Sequence, residues 1–150
     1  MIALGVANSS VLIVLERVRR LALLEESFKE ILIPPAVARE VGEVPAFVSV
    51  VPVPNPSALK VFPSRVHKGE AEVIMLGMCR PGAVLLLDDW YARSFAQQRG
   101  LAVIGTVGLI VRAKRIGMLP SVSPLLQELS EAGFRLSPQV LAEARRIAGE

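Results

Sequence analysis

A chain of 150 residues is long enough to bury one core and too short for two comfortable ones, so a single domain over residues 1–150 is expected. Hydrophobic residues reach 52% and mean hydropathy is +0.49, yet charge or proline interrupts every apolar run short of the ~18 residues that a membrane span needs. Arg17, Arg19 and Arg20 follow the first apolar segment instead of preceding it, which speaks against a secretory leader and for a cytoplasmic protein, and the net charge of +3 is a small excess that suits a polyanionic partner.

The chain alternates strand and helix. Residues 2–7 read as a short apolar strand, and Asn8, Ser9 and Ser10 after it form a capping cluster. That cluster opens a helix through Val11, Leu12, Leu15 and Val18 and on into residues 21–24. Ile31, Leu32 and Ile33 make a second strand, stopped by Pro34 and Pro35; proline at a first helical position then starts a helix over 36–41 that carries Glu40. From 43 to 63 the pattern degrades, and Pro45, Pro52, Pro54, Pro56 and Pro63 leave at most an extended edge segment over 47–53.

Regularity returns with a helix over 68–79, a Pro81-Gly82 turn and a strand over 83–87. Asp88 and Asp89 cap a helix that reaches Arg99 and ends at Gly100; a last strand over 101–104 precedes Gly105, Thr106 and a helix to Ile116. Ser123-Pro124 and Ser137-Pro138 each read as a cap plus first helical residue, giving two closing helices with Gly133 between them. Such alternation predicts an α/β fold with a parallel sheet covered on both faces.

Asn8, Asp88 and Asp89 all fall where a strand hands over to a helix, the edge of a parallel sheet at which ligands collect. Glu70 lies in the first turn of its helix and Glu40 near the end of another. Each has a structural account of its own: Asp88 or Asp89 as a cap, Glu70 as a helix-start charge, Glu40 as a solvated residue. Their convergence on one corner is what those separate accounts do not predict. Clustered carboxylates repel one another unless a cation neutralises them. Cys79, in the last turn of an apolar helix, reads as packing, and His67 is solitary, so zinc lacks its usual ligands. Oxygen donors remain, which favours Mg2+ or Mn2+.

Positive charge gathers at Arg17, Arg19 and Arg20, at Arg112, Lys114 and Arg115, and at Arg145 and Arg146. Aromatic residues are scarce, at 5%, and no platform for stacking bases is evident; a nucleic acid is expected to be held through its phosphates.

In order and spacing the motifs resemble a known family. Val6-Ala7-Asn8-Ser9-Ser10, Pro34-Pro35-Ala36-Val37-Ala38-Arg39-Glu40-Val41, Gly69-Glu70-Ala71-Glu72-Val73-Ile74, Leu86-Leu87-Asp88-Asp89-Trp90-Tyr91-Ala92-Arg93, Gly100-Leu101-Ala102-Val103-Ile104-Gly105-Thr106 and Ala113-Lys114 resemble a PIN-domain protein of the VapC-like, prokaryotic ribonuclease branch, almost from end to end. The resemblance implies a three-layer α/β/α fold with a short parallel sheet and two closing helices. It also implies metal-dependent RNA cleavage, often as the toxin of a toxin–antitoxin pair. On the positions that match, Glu40, Glu70, Asp88 and Asp89 are the implied catalytic acids, and with Asn8 they hold magnesium or manganese. Ser9, Ser10 and Thr106 orient a carboxylate or a water, and Arg93 either faces a phosphate or pairs with Asp89 at i, i+4.

Asn8 departs from the family, which has an aspartate there. An amide oxygen still coordinates a cation but brings no charge, so two readings stand side by side: a ribonuclease, and a weakened PIN fold that binds RNA or a protein such as an antitoxin. The apolar fraction, and helices after Ser10 and Ser123 with apolar residues on more than one stripe, lead to the expectation of a homodimer.

Overall fold

A computed structural model describes all residues from Met1 to Glu150. In chain order the elements are β1 (Ile2–Ala7), α1 (Ser9–Arg17), α2 (Ala22–Ser27), β2 (Phe28–Ile33), α3 (Pro35–Val41), β3 (Val48–Val50), a 3-10 segment (Pro56–Val61), α4 (Lys68–Met78), β4 (Val84–Leu86), α5 (Trp90–Gln98), β5 (Ala102–Ile104), α6 (Thr106–Arg115), α7 (Ser123–Glu131) and α8 (Pro138–Ala148). The five strands form one sheet in the order β3-β2-β1-β4-β5, every pair parallel. In β1, Val6 and Ala7 are both fully buried, as are Leu85 and Leu86 in β4. Successive strand side chains point to opposite faces, so helices must cover both. The fold is therefore the expected α/β one.

The interior helix is α4. Residues 69–77 are all buried, the pattern of a helix enclosed on every side, and a Cβ at Gly77 would run into the Leu85 side chain. Glycine there lets α4 lie directly on β4. Val48–Val50 is one of the two edge strands, paired only with β2, as its flanking prolines require. No helix is long and apolar enough to cross a membrane.

Three expectations need correction. The helix opened by Ser9 and Ser10 does not run into residues 21–24. Arg19 takes a φ of +57°, the N–H of Arg20 donates to the Leu15 carbonyl at 2.7 Å, and the chain turns before α2; the apolar period continued across the break. Cys79 is exposed at the end of α4 and is not a packing residue. Ser123 does not cap α7, whose N-cap position is Val122.

The Ser123 hydroxyl instead donates to Glu150 at 2.7 Å. The same carboxylate accepts from Lys114 Nζ at 2.9 Å, Val122 N–H at 2.8 Å and Ser123 N–H at 3.2 Å. Lys114 also donates to the Ala148 carbonyl at 2.5 Å, so the lysine of the Ala113-Lys114 motif ties the end of α8 to α6. The Lys114 ammonium, then the Val122 N–H and Ser123 hydroxyl, hold the Glu150 carboxyl down at about 2, from an ordinary 4.5. The folded state binds this proton less readily than the unfolded chain, so its contribution to stability is complete above pH 4.5 and is lost as pH falls toward 2. Thermal melts of Glu150→Gln against the wild type should show a lower Tm at pH 7, with the gap closing across that acid window.

Candidate active site

All strands end on one edge, and the backbone pairing continues to that edge: Asn8 N–H donates to the Leu86 carbonyl at 3.0 Å and Leu87 N–H to the Ile104 carbonyl at 3.1 Å. Asn8 thereby follows β1 directly, and Asp88 follows Leu87 at the end of the neighbouring β4. The order β2-β1-β4 also makes this the point where the connections diverge, the crevice in which open α/β sheets hold ligands.

The adjacent aspartates do different work. Asp88 accepts the Thr106 N–H on Oδ1 at 2.7 Å, and on Oδ2 the Thr106 hydroxyl at 2.8 Å and the Ser10 hydroxyl at 2.9 Å. It thus joins the starts of α1 and α6. Asp89 turns to its own helix and accepts the Ala92 N–H at 2.9 Å, the N-cap of α5.

Glu40, on α3, accepts the Ser9 hydroxyl at 2.6 Å. A Cβ built at Gly69 would stand 2.7 Å from Glu40 Oε1 and 3.3 Å from Asn8 Oδ1, so the bare backbone at the start of α4 gives room for both side chains to gather there. Asn8 occupies the N-cap position of α1 but makes no capping bond. Its Oδ1 is buried and has no hydrogen-bond partner, an acceptor removed from water with nothing to replace it.

Glu70 is 4% exposed and accepts the His67 N–H at 2.9 Å, closing a capping box. Burial raises its pKa above the ordinary carboxylate value, against the His67 hydrogen bond, and the charges of Asp89 and Glu40 raise it further. With a folded-state pKa above the unfolded one, stability falls as pH rises through the window that begins at 4.5. Glu70→Gln keeps an acceptor for His67 and removes the charge. Its Tm at pH 7 should exceed that of the wild type in chelator, and magnesium should narrow the difference by stabilising the wild type more.

Ser9 and Ser10 therefore serve different carboxylates, Glu40 and Asp88, and Thr106 serves Asp88. Arg93 makes no ion pair with Asp89; a Cβ at Gly105 would meet both Arg93 Nη1 and Asp88 Oδ1, which places the guanidinium beside Asp88. From Arg93 a groove of about 780 Å3 runs between α6 and α8, with Arg112 and Arg115 along it. Arg112 Nη1 is buried there without an acceptor. Glu72 is a site-side residue to which the sequence assigned no role. It is 3% exposed, and its Oε1 accepts the Ala36 N–H at 3.2 Å, tying the start of α3 to α4 and so setting where Glu40 stands. Two glutamates in an otherwise apolar helix were the available signal.

The donor set is all oxygen, which suits a hard divalent cation, and Asn8 Oδ1 is a free buried acceptor within it. The carboxylates themselves are turned to hydrogen-bond donors, and no group of three or more acidic, histidine or cysteine side chains is already gathered as a metal cage. The chemistry of the residues fits a cation; Glu40 and Glu70 would have to turn toward it.

Comparison with known proteins gives one result of substance: a family model described as a PIN domain matches residues 4–150. No curated protein matches, and no solved structure does. The match takes in every strand and helix that carries a residue of the site, and it agrees with the all-parallel sheet; the chain belongs to the PIN-domain family.

Proposed function

We propose that this protein is a magnesium- or manganese-dependent endoribonuclease of the VapC-like kind, the toxin of a toxin–antitoxin pair. The observation that carries the reading is the buried, unpartnered Asn8 Oδ1 at the same sheet edge as Glu40, Glu70 and Asp88. A bound cation there would generate a hydroxide nucleophile and stabilise charge on the phosphate and leaving oxygen. The chain's own residues do the positioning. Ser9 holds Glu40, Ser10 and Thr106 hold Asp88, and Glu70 supplies a carboxylate whose ionised form gains from a neighbouring cation. Asp89 adds negative charge while it fixes α5, and Arg93 offers a cation to the phosphate, with Arg112 and Arg115 extending that charge along the groove.

A second reading, a PIN fold kept for binding RNA or protein, is favoured by the amide at position 8 and by the absence of a preformed cage. Labelled RNA incubated with the protein in magnesium or manganese, beside a chelator control, separates the two. Cleavage that chelator abolishes supports the ribonuclease; binding without cleavage in either metal supports the binding module.

A further inference from the structure

The aromatic residues of this chain are buried or half-buried, with one exception. Phe62 and Phe95 pack at 5.3 Å between ring centroids, Arg65 lies 4.5 Å over the Tyr91 ring, and Phe28 is in the core. Trp90 is 76% exposed. It is the residue directly after Asp88 and Asp89 and the first of α5. Its backbone is pinned, because Asp89 accepts the Ala92 N–H on its side chain and the Arg93 N–H on its carbonyl at 3.0 Å. The indole projects from this fixed first turn and packs against no other aromatic ring. Arg93 follows three residues later, on the same side of the helix, and stands beside Asp88. A ring and a cation one turn apart, ~5–6 Å between Cβ atoms, match a base and its phosphate in spacing and chemistry.

We propose that Trp90 is the base-stacking residue of the candidate active site, taking an unpaired base next to the scissile phosphate while Arg93 meets the phosphate. This rests on the ribonuclease reading and adds to it a contact residue. It also revises the sequence-based expectation that the chain lacks a stacking platform. Stacking is sequence-tolerant because every base has a π face, and loss of the ring weakens binding by roughly 5- to 150-fold per base.

Trp90 is the only tryptophan in the chain, so its emission reports on this place alone. The test titrates a labelled oligouridylate, and the same strand annealed to its complement, into wild type, Trp90→Ala and Trp90→Phe, in chelator and again in magnesium. Strand anisotropy and tryptophan emission are both followed in the wild type, and anisotropy alone in the variants. The expected result is quenching that saturates with the anisotropy for the single strand and not for the duplex, a 5-fold or greater loss of affinity in Trp90→Ala, and most of it restored in Trp90→Phe. Binding or cleavage of the strand with unchanged emission and equal affinity in Trp90→Ala would overturn the proposal and leave the ribonuclease reading standing. If no strand binds, the proposal falls, and the ribonuclease reading is decided separately by the chelator-controlled cleavage assay. A wild-type emission that shifts with protein concentration alone, with Trp90→Ala turning a dimer into a monomer in light scattering, would assign the ring to self-association and overturn the proposal too.

Discussion

Asp88→Asn is expected to leave the protein folded and to lower metal-dependent RNA cleavage by ~10²-fold or more, the fall that follows when several kcal/mol of charge stabilisation is lost. The fold survives because the amide suits the site it enters. Its oxygen still accepts the Thr106 N–H, and its two N–H bonds find the Thr106 and Ser10 hydroxyls, which accept as readily as they donate. Only the charge disappears. Asp89→Asn is the matched control: asparagine caps a helix about as well as aspartate, so α5 keeps its start and cleavage should fall much less. Rates on a labelled RNA at saturating magnesium, with circular-dichroism melts of each variant, decide the point; equal rates for wild type and Asp88→Asn would remove Asp88 from the machinery.

Asn8→Asp should move metal affinity and stability in opposite directions according to what is in solution. In chelator the new carboxylate sits 8% exposed, with an oxygen that already lacks a partner and with Glu40 close by. A buried, unsatisfied group of this kind costs ~1–3 kcal/mol and more when charged, or roughly 3–10 °C in Tm for a chain of this size. With magnesium or manganese the added charge becomes an asset, and affinity should tighten about 10-fold or more, with cleavage rising alongside. Calorimetric titration of metal into both proteins, paired with melts in chelator, reads both halves. Equal affinities and equal melting temperatures would place Asn8 outside the site. A capping role no longer competes as an explanation, because the Asn8 side chain makes no capping bond.

The strand-to-helix handovers were legible because they depend on local signals: apolar runs, prolines after Ile33, glycines after α5 and β5. Where the outcome depended on partners distant in sequence, local signals ran out. Nothing in the dipeptide Asp88-Asp89 says which carboxylate caps α5. The answer comes from Ser10 and Thr106, which lie 78 and 18 residues from Asp88. Ser123 carries a helix-capping signature yet gives its hydroxyl to Glu150, 27 residues on. β2 begins at Phe28, earlier than its apolar core at Ile31, because Lys29 and Glu30 are both exposed and blur the pattern. The break at Arg19 was hidden by an apolar period that the two short helices share.

An all-parallel sheet with β1 at its centre also dictates a timetable. Pairing β1 with β2 closes a short stretch of chain, whereas the bond from Ser10 to Asp88 closes 78 residues, and long closures are slow to form. In a chain emerging from the ribosome amino terminus first, the Ser9–Glu40 contact, 31 residues apart, is the first of these that has both partners. Until Thr106 is available, Asp88 lacks the N–H and hydroxyl that orient it. On the ribonuclease reading, synthesis itself is a safeguard: the half-made chain carries its acids but has not yet set Asp88, so the message being translated is out of danger from its own product until more than two-thirds of the protein has been made.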